Sequence, residues 1–205
     1  MLRKRQSSTS VTKNNTKRKH SMSTNNIVAV VGMCGSGKSV ATEMFTDAGW
    51  TKVYFGGITM EELERRGLPK NEKNEKAVRE ELRAQYGLAA YAVKLLDRIK
   101  EYAANGNVVL DGLYSWSEYT YLKEALGDKL QVLAIVTDRA KRYSRLTSRE
   151  IRPLTNEEAR SRDFSEIENL EKGGPIAIAD YFITNNGTAD ELKNKIKDYM
   201  KQFDN

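Results

Sequence analysis

Residues 32–39 read Gly32-Met33-Cys34-Gly35-Ser36-Gly37-Lys38-Ser39. This stretch fits the P-loop pattern, in which two glycines bracket four residues and are followed by Lys and Ser. The apolar run Ile27 to Val31 precedes it and is typical of a strand buried on both faces, whereas residues 40–48 have the composition of a helix. The motif therefore has the strand–loop–helix context in which a P-loop occurs.

The residue types of this loop suit a polyphosphate ligand. Its glycines allow backbone conformations that side chains would prevent, so consecutive N–H groups can surround an anion at a helix N-terminus. Lys38 would reach the outer phosphates, and the Ser39 hydroxyl would bind Mg²⁺. ATP and Mg²⁺ are the expected cofactors, and the alternative is a Gly-rich turn that binds nothing. The predicted nucleotide-binding residues of the stretch are Gly32, Gly35, Ser36, Gly37, Lys38, Ser39 and Val40.

Composition argues against several other chemistries. The chain has 205 residues, enough for one domain with a core. Its single cysteine excludes internal disulfides and thiolate metal clusters, and its single histidine, His20, argues against a Ser-His-Asp centre or a histidine-based zinc site. Because no apolar run has the length of a membrane span or of a signal peptide's core, we expect a cytoplasmic protein.

The formal net charge of +6 is concentrated in residues 1–26, which we expect to be a disordered basic tail. This segment holds seven of the 34 Lys and Arg residues and no acid, so the rest of the chain is nearly neutral. Nucleic acid is accordingly expected as a partner only through the tail. A targeting segment and a natural start at Met22 are the alternatives, and the oligomeric state is left open.

Short apolar runs alternate with segments of helical spacing along residues 27–205. Further strands are expected at 51–55, 108–111, 130–136 and 181–184, and helices at 58–66, 77–86, 88–104, 115–126, 138–149 and 189–203. Residues 70–76 are expected to be a charged loop. Thr155 or Asn156 can cap the next helix, and Gly173-Gly174-Pro175 is expected to break it. This alternation predicts a parallel sheet covered on both faces, with ligands bound past the carboxyl ends of its strands.

Asp111 ends an apolar strand at the edge of the sheet where the P-loop is expected. It could hold Mg²⁺ through water or accept a proton from an attacking hydroxyl, and Gly112 beside it leaves room for a substrate. We therefore expect Asp111 to act in catalysis and in metal binding. The alternative is an ordinary aspartate that caps a turn at the end of a strand.

Six arginines are grouped in residues 142–162, namely Arg142, Arg145, Arg149, Arg152, Arg160 and Arg162. Guanidinium groups that close over phosphates stabilise the charge spread by phosphoryl transfer and exclude water. We expect Arg149 and Arg152 to be catalytic and Arg145 to bind the nucleotide. The alternative is a solvated face, on which these arginines pair with glutamates of the same segment.

Arginines also lie in the helices between the second strand and Asp111, where an acceptor phosphate would be bound. Arg65 and Arg83 are the expected substrate-binding residues, and Arg83 is favoured because it lies near Tyr86-Gly87. Since the arginines of these helices alternate with glutamates, surface ion pairs are the alternative explanation.

Four pieces of the sequence together resemble the P-loop kinases of the nucleoside-monophosphate kinase type. The best match is a mainly archaeal family related to dephospho-CoA kinase, and it covers nearly all of residues 27–203. The last piece is similar to the stretch that lies against the adenine ring in dephospho-CoA kinases, which implies that Asn186 and Gly187 contact the base. Besides the P-loop, the pieces are Glu80-Glu81-Leu82-Arg83-Ala84-Gln85-Tyr86-Gly87, Val109-Leu110-Asp111-Gly112-Leu113 and Ala179-Asp180-Tyr181-Phe182-Ile183-Thr184-Asn185-Asn186-Gly187-Thr188.

The resemblance implies a three-layer α/β/α fold with a five-stranded parallel sheet, acceptor-binding helices at about 58–104 and a mobile arginine-rich lid at about 149–165. It also implies phosphoryl transfer from ATP to a dephospho-CoA-like acceptor or a nucleoside monophosphate. One departure is that these kinases usually carry an aspartate just after the second strand, where this chain has Gly56-Gly57. The alternative function is therefore a nucleotide-binding regulator or a slow NTPase without a small-molecule acceptor.

Overall fold

The computed structural model describes residues 25–204 and contains a sheet of five parallel strands. The strands are β1 (Ile27–Val31), β2 (Thr51–Tyr54), β3 (Val108–Asp111), β4 (Leu130–Val136) and β5 (Tyr181–Thr184). The α-helices of this part of the chain are α1 (Lys38–Asp47), α2 (Gly57–Arg65), α3 (Glu72–Tyr86), α4 (Ala90–Asn105), α5 (Trp116–Leu126), α6 (Arg139–Ser148), α7 (Asn156–Glu168), α8 (Gly173–Ala177) and α9 (Ala189–Met200).

β1 is the central strand of the sheet, whose order is β2-β3-β1-β4-β5. All five residues of β1 are buried, as expected for a strand covered on both faces. One apolar layer includes Phe45 of α1 and Ile196 of α9, and the other includes Leu63 of α2 and Leu95 of α4. The predicted three-layer α/β/α fold with a five-stranded parallel sheet is confirmed.

The strand order brings Asp111 next to the P-loop. Val30 of β1 pairs with Asp111 of β3, and the other edge of β1 pairs with β4. The loop after β1 therefore lies between neighbours that come from different parts of the chain, which is the switch point at which α/β sheets bind ligands. The sequence predicts that the P-loop and Asp111 lie at the same ends of the strands. It does not predict that β1 and β3 are direct neighbours, which only the structure shows.

Two local predictions are wrong. α3 begins at Glu72, within the segment expected to be a charged loop, because the Asn71 side chain caps it by accepting a 3.0 Å hydrogen bond from the N–H of Asn74. The short helix α8 lies where a break was expected. Pro175 is tolerated in α8 because the N–H groups of a helix's first turn have no intrahelical partner in any case.

The described residues begin slightly before the predicted domain boundary at residue 27. The N–H of Asn26 donates to Oδ1 of Asn107 over 2.8 Å, and Nδ2 of Asn25 donates to the carbonyl of Ala103 over 2.9 Å. The rest of the predicted tail, residues 1–24, lies outside the described residues. Within residues 25–204, none of the helices has the length and apolar character needed to cross a membrane.

Candidate active site

The P-loop connects β1 to α1 and depends on glycine at several positions. Gly35 and Gly37 have φ angles of 79° and 101°, in the left-handed region. A Cβ atom on Gly37 would lie 2.5 Å from Nδ2 of Asn185. One on Gly32 would lie 2.4 Å from the carbonyl oxygen of Ile135. The loop thus needs glycine both for its backbone angles and for its close packing on the ends of β4 and β5.

Asn185 and Thr137 support this loop from the ends of two strands. Asn185 is buried after β5, and its Nδ2 donates to the carbonyl of Ser36 over 2.8 Å. Thr137 follows β4, and its hydroxyl lies 3.1 Å from the same carbonyl. Neither residue was predicted to support the loop, although both stand directly after predicted strands, a position that indicates a place near the P-loop.

The ammonium group of Lys38 folds back onto the P-loop. Its Nζ donates to the carbonyl oxygens of Gly32 and Met33 over 2.7 and 3.0 Å. Burial, followed by the charge of Lys172, lowers the pKa of Lys38 to about 8. Lys38 is therefore held in a desolvated and strongly positive place, where an anionic ligand would be stabilised. Ser39 beside it is exposed.

A cavity of about 560 Å³ opens over the P-loop, and Asp111 lies in its wall. The Asp111 carboxylate forms an ion pair of 3.0 Å with Nζ of Lys52 on the neighbouring strand β2. The structure thus brings Asp111, Lys38 and Ser39 to one cavity. Lys52 was not predicted, because the sequence does not show which acid a lysine on an edge strand faces.

The same cavity collects further cations from the segment after β4. Arg145 and Arg149, both predicted near the nucleotide, line it together with Arg162 and Lys172. Lys172 is only 3% exposed, and its Nζ forms an ion pair of 2.7 Å with Glu166. Lys172 was not predicted, because in the sequence it stands only beside the helix break expected at Gly173-Gly174-Pro175.

A second cavity, of about 510 Å³, adjoins the first. Arg83, predicted to bind the acceptor, and Arg152, predicted to be catalytic, lie in its wall, and so does Arg79. The guanidinium of Arg83 lies 5.8 Å from the centre of the Tyr91 ring. Arg79 is paired with Glu72 of its own helix over 2.6 Å, so Arg83 and Arg152 are the groups that this cavity can offer to an anionic molecule. The residues that line both cavities are Tyr54, Tyr114, Arg162 and Glu166.

Gly56 lines the second cavity at the place where the resembling kinases usually carry an aspartate. A Cβ atom on Gly56 would lie 2.4 Å from the Tyr54 ring, so the Tyr54 side chain occupies the space that a longer residue would need. The carboxylates that line the P-loop cavity are those of Asp111 and Glu166.

Glu118 is a buried acid in the wall of the second cavity. Its Oε2 accepts hydrogen bonds from the N–H groups of Tyr114 and Ser115 over 2.8 and 3.0 Å, as part of the capping box that begins α5. Burial raises the pKa of Glu118 to about 7. Glu118 was not predicted, although the Ser115-x-x-Glu118 spacing indicates such a cap.

Comparison with known proteins identifies relatives of this chain. A UPF0200 protein of Thermococcus kodakarensis is 33% identical over 181 residues, which cover 86% of this chain and 97% of that protein. A UPF0200 protein of Methanococcus maripaludis is 30% identical over 182 residues, with coverage of 85% and 98%. Residues 28–171 match the family model of an AAA domain. The chain belongs to the UPF0200 family and contains an AAA domain.

Solved structures that share the fold of this UPF0200 protein include kinases. The dephospho-CoA kinase from Campylobacter jejuni superposes with a TM-score of 0.56 at 18% identity, covering 87% of this chain and 97% of that one. Shikimate kinase from Bacteroides thetaiotaomicron gives 0.57 at 12% identity, with coverage of 88% and 99%. At these identities the likeness shows the fold alone. It confirms the prediction of a kinase-like P-loop fold, and the UPF0200 relatives confirm the prediction of an archaeal family.

Several predicted residues of the UPF0200 protein lie away from the two cavities. Arg65 pairs with Glu62 on its own helix over 2.6 Å, is 70% exposed, and lines neither the P-loop cavity nor the one beside it. The structure therefore does not place Arg65 at the predicted acceptor site. Arg142 is buried against Asp163, and Arg160 stacks on Phe164 at 5.6 Å, so these two arginines are occupied by protein groups.

Asn186 and Gly187, predicted to contact the base, interact with α6. The Asn186 side chain exchanges two hydrogen bonds of 2.9 Å with Asp138, one with its N–H and one with its carboxylate. The carbonyl of Gly187 lies 3.4 Å from Nη2 of Arg145, which lines the P-loop cavity. The contact with adenine remains a prediction.

The lining of the P-loop cavity fits an anion together with a hard cation. Nη1 of Arg145, which lines this cavity, is buried and has no hydrogen-bond partner among the described groups, as is expected where a ligand supplies the partner. Oγ of Ser36 is also buried without a partner, but Ser36 does not line the cavity. One hydroxyl, of Ser39, and one carboxylate, of Asp111, match the few protein ligands that Mg²⁺ takes alongside phosphates and water. Along residues 25–204, no cluster of three or more His, Cys, Asp or Glu side chains could hold a metal by itself.

Proposed function

We propose that this protein transfers a phosphoryl group from Mg²⁺-bound ATP to a small nucleotide-like acceptor, either a dephospho-CoA-like molecule or a nucleoside monophosphate. The observation that carries the proposal is the contact between two cavities, one over the P-loop and one lined by arginines. A kinase needs a donor site and an acceptor site that meet where the phosphoryl group passes. The kinase-like fold adds support.

The residues around the two cavities have distinct parts in this proposal. The P-loop N–H groups and Lys38 bind the phosphates of ATP. Ser39 and Asp111 would hold Mg²⁺, which would supply positive charge to the bound phosphates. Nε of Arg149 donates to the carbonyl of Arg152 over 2.6 Å, and the two residues line the first and second cavity respectively. In this proposal the two guanidinium groups stabilise the transferred group from both sides.

The transfer itself needs only positioning and charge. An acceptor oxygen forms a bond to the γ-phosphorus while the bond from that phosphorus to the bridging oxygen breaks, so that ADP leaves. If the acceptor is a hydroxyl, its proton passes to the Asp111 carboxylate. If the acceptor is a phosphate oxygen, no proton has to be removed.

An acceptor panel tests the proposal. The purified full chain is incubated with ATP and Mg²⁺ and, in turn, with dephospho-CoA and each nucleoside monophosphate, while ADP release and the mass of the acceptor are followed. We expect ADP release to rise sharply with one acceptor, whose mass increases by one phosphate. The Lys38→Ala variant is the control for a contaminating kinase.

A slow NTPase or nucleotide-binding regulator is the second candidate. It is favoured by the Lys52–Asp111 ion pair, which occupies the acid that a kinase would use, and by glycine at position 56. In that case ATP consumption would stay slow and equal with every acceptor in the panel, although ATP would still bind.

A further inference from the structure

Lys172 lies between α7 and α8 and has no part in the function proposed above. It is almost fully buried, yet its side chain lines the P-loop cavity. Its Nζ pairs with Glu166 at 2.7 Å and lies 4.4 Å from the centre of the Tyr114 ring. A buried ammonium group is costly without an anionic partner, and in this structure Glu166 is that partner.

Glu166 is shared between two cations. Its Oε2 accepts from Lys172 over 2.7 Å, and its Oε1 accepts from Nε of Arg162 over 3.1 Å. Although burial opposes ionisation, Lys172 and Arg162 lower the pKa of Glu166, so the carboxylate is charged. Glu166 also lines both cavities and therefore lies where the transferred phosphoryl group would pass.

The P-loop cavity has an excess of positive charge. Lys38 and Lys172 act on each other there, since the charge of Lys172 contributes to the lowered pKa of Lys38. Two ammonium groups in one desolvated cavity repel each other, and an anion that lies between them offsets this repulsion. The basic residues of the lining are Lys38, Lys52, Arg145, Arg149, Arg162 and Lys172, against the acids Asp111 and Glu166.

We propose that Lys172 is a second triphosphate-binding lysine, and that Glu166 holds Lys172 and Arg162 in place of the terminal phosphate when no nucleotide is bound. When a triphosphate binds, its terminal phosphate takes over both cations from Glu166. An ammonium group has three donors, and Glu166 uses one of them, so Lys172 can turn to a phosphate without moving its backbone. This inference rests on the proposed function, because it places a triphosphate in the cavity.

Calorimetric titration of the full chain tests the exchange. With Mg²⁺ present, the wild type and its variants are titrated with the unhydrolysable analogue AMP-PNP and separately with ADP. We expect Lys172→Met to bind AMP-PNP about tenfold to a hundredfold more weakly, as for a lost charge-assisted hydrogen bond, and ADP within about twofold of wild type. Lys193→Met, at an exposed position of α9, is the matched control and should change neither affinity.

The sign of the Glu166→Gln effect distinguishes exchange from a fixed structural pair. If Glu166 competes with the terminal phosphate, its neutral variant should bind AMP-PNP several-fold more tightly than wild type, with ADP binding nearly unchanged. If the pair only joins α7 to the residues before α8, Glu166→Gln should weaken both ligands. That result, or an equal loss of AMP-PNP and ADP in Lys172→Met, would overturn the inference.

Two further variants guard against misfolding. Lys172→Met leaves Glu166 with Arg162 alone, so the double variant Lys172→Met/Glu166→Gln removes both charges together, and Lys172→Arg keeps the cation. We expect the double variant to unfold near the wild-type temperature and to bind AMP-PNP more weakly than Glu166→Gln does, and Lys172→Arg to recover most of the affinity. Equal AMP-PNP affinities of the folded double variant and of Glu166→Gln would overturn the inference alone. Absence of nucleotide binding by the wild type would overturn the proposed function as well.

Discussion

Arg142 and Asp163 form a buried ion pair that joins α6 to α7 next to the P-loop. Nη1 and Nη2 of Arg142 contact the two carboxylate oxygens over 2.8 and 2.6 Å, and Nη1 also donates to the carbonyl of Cys34 over 3.1 Å. The two side chains are only 7% and 9% exposed. The Arg142 guanidinium thus connects α6 and α7 to the P-loop, which is proposed to bind phosphate.

Asp163→Ala should therefore lower both stability and nucleotide affinity. Removing one partner leaves the Arg142 charge buried and unpaired, so we expect the free energy of unfolding in urea to fall by about 3–5 kcal/mol. The control is Asp198→Ala, which breaks the Lys201–Asp198 pair, where both side chains are 71% exposed, and should leave stability unchanged. Equal losses in the free energy of unfolding for the two substitutions would show that the buried pair stabilises the protein no more than the exposed pair does.

Lys38→Ala should abolish turnover while the fold persists. Loss of a preorganised cation at the transferred phosphoryl group is expected to lower kcat by about two orders of magnitude or more. Steady-state rates with the acceptor found in the panel measure the effect, and circular dichroism checks the fold. Near-normal activity in a purified variant would exclude Lys38 from catalysis.

Nucleotide binding should take up a proton above neutral pH. The pKa of Lys38 is about 8 in the free protein, below its ordinary value of 10.5, and a phosphate that binds the charged form raises it again. At about pH 8–9 binding should therefore consume a proton and weaken as the pH rises, whereas near pH 7, where Lys38 is already mostly charged, little uptake is expected. Titrations in buffers of different ionisation enthalpy measure the uptake.

Gly37→Ala should be more damaging than Gly49→Ala, although both glycines have positive φ angles, of 101° and 87°. The added Cβ at Gly37 would meet Asn185 at 2.5 Å, whereas nothing lies within 4 Å of the one at Gly49. Gly49→Ala should cost about 1 kcal/mol of stability from its backbone conformation alone. Gly37→Ala should lower the unfolding temperature further and weaken ADP binding, and equal effects would contradict the steric reason.

Glu118→Gln should flatten the pH dependence of stability. Burial raises the pKa of Glu118 from about 4.5 to about 7, so the folded state binds this proton more tightly than the unfolded state. The contribution is fully present below about pH 4.5 and is lost as the pH rises through 7, a change of about 3 kcal/mol. Urea unfolding across this range measures it, with Glu124→Gln, exposed on the same helix, as the control. If the stability of Glu118→Gln changed with pH as that of the wild type does, Glu118 would not be the group responsible.

Much of the fold could be predicted because it depends on patterns between near neighbours. The buried run before Gly32 and the alternation of strands with helices were enough to predict the parallel sheet and its ligand-binding edge. The errors at α3 and α8 arise where a single cap, Asn71, or a proline in a first helical turn, Pro175, decides the local structure. Neither feature has a periodic signal.

The candidate site was predictable only in part. Lys38, Ser39 and Asp111 follow strands whose ends must share one edge, so their meeting could be expected. The arginines could not be sorted in this way, since a guanidinium pairs with whichever carboxylate the fold brings to it. Arg65 pairs with Glu62 on its own helix, whereas Arg83 lines the second cavity.

The sequence by itself determined that this chain has a P-loop at the carboxyl ends of the strands of a parallel sheet, because spacing and residue type along a short segment decide that geometry. The tertiary structure decided which charges meet there. Arg142 of α6 pairs with Asp163 of α7 over 2.6 Å, and Lys52 reaches Asp111 from a neighbouring strand. Such pairings join residues brought together by helix packing and strand order, and the energy of a charge depends on those distant neighbours rather than on the residues beside it in the chain.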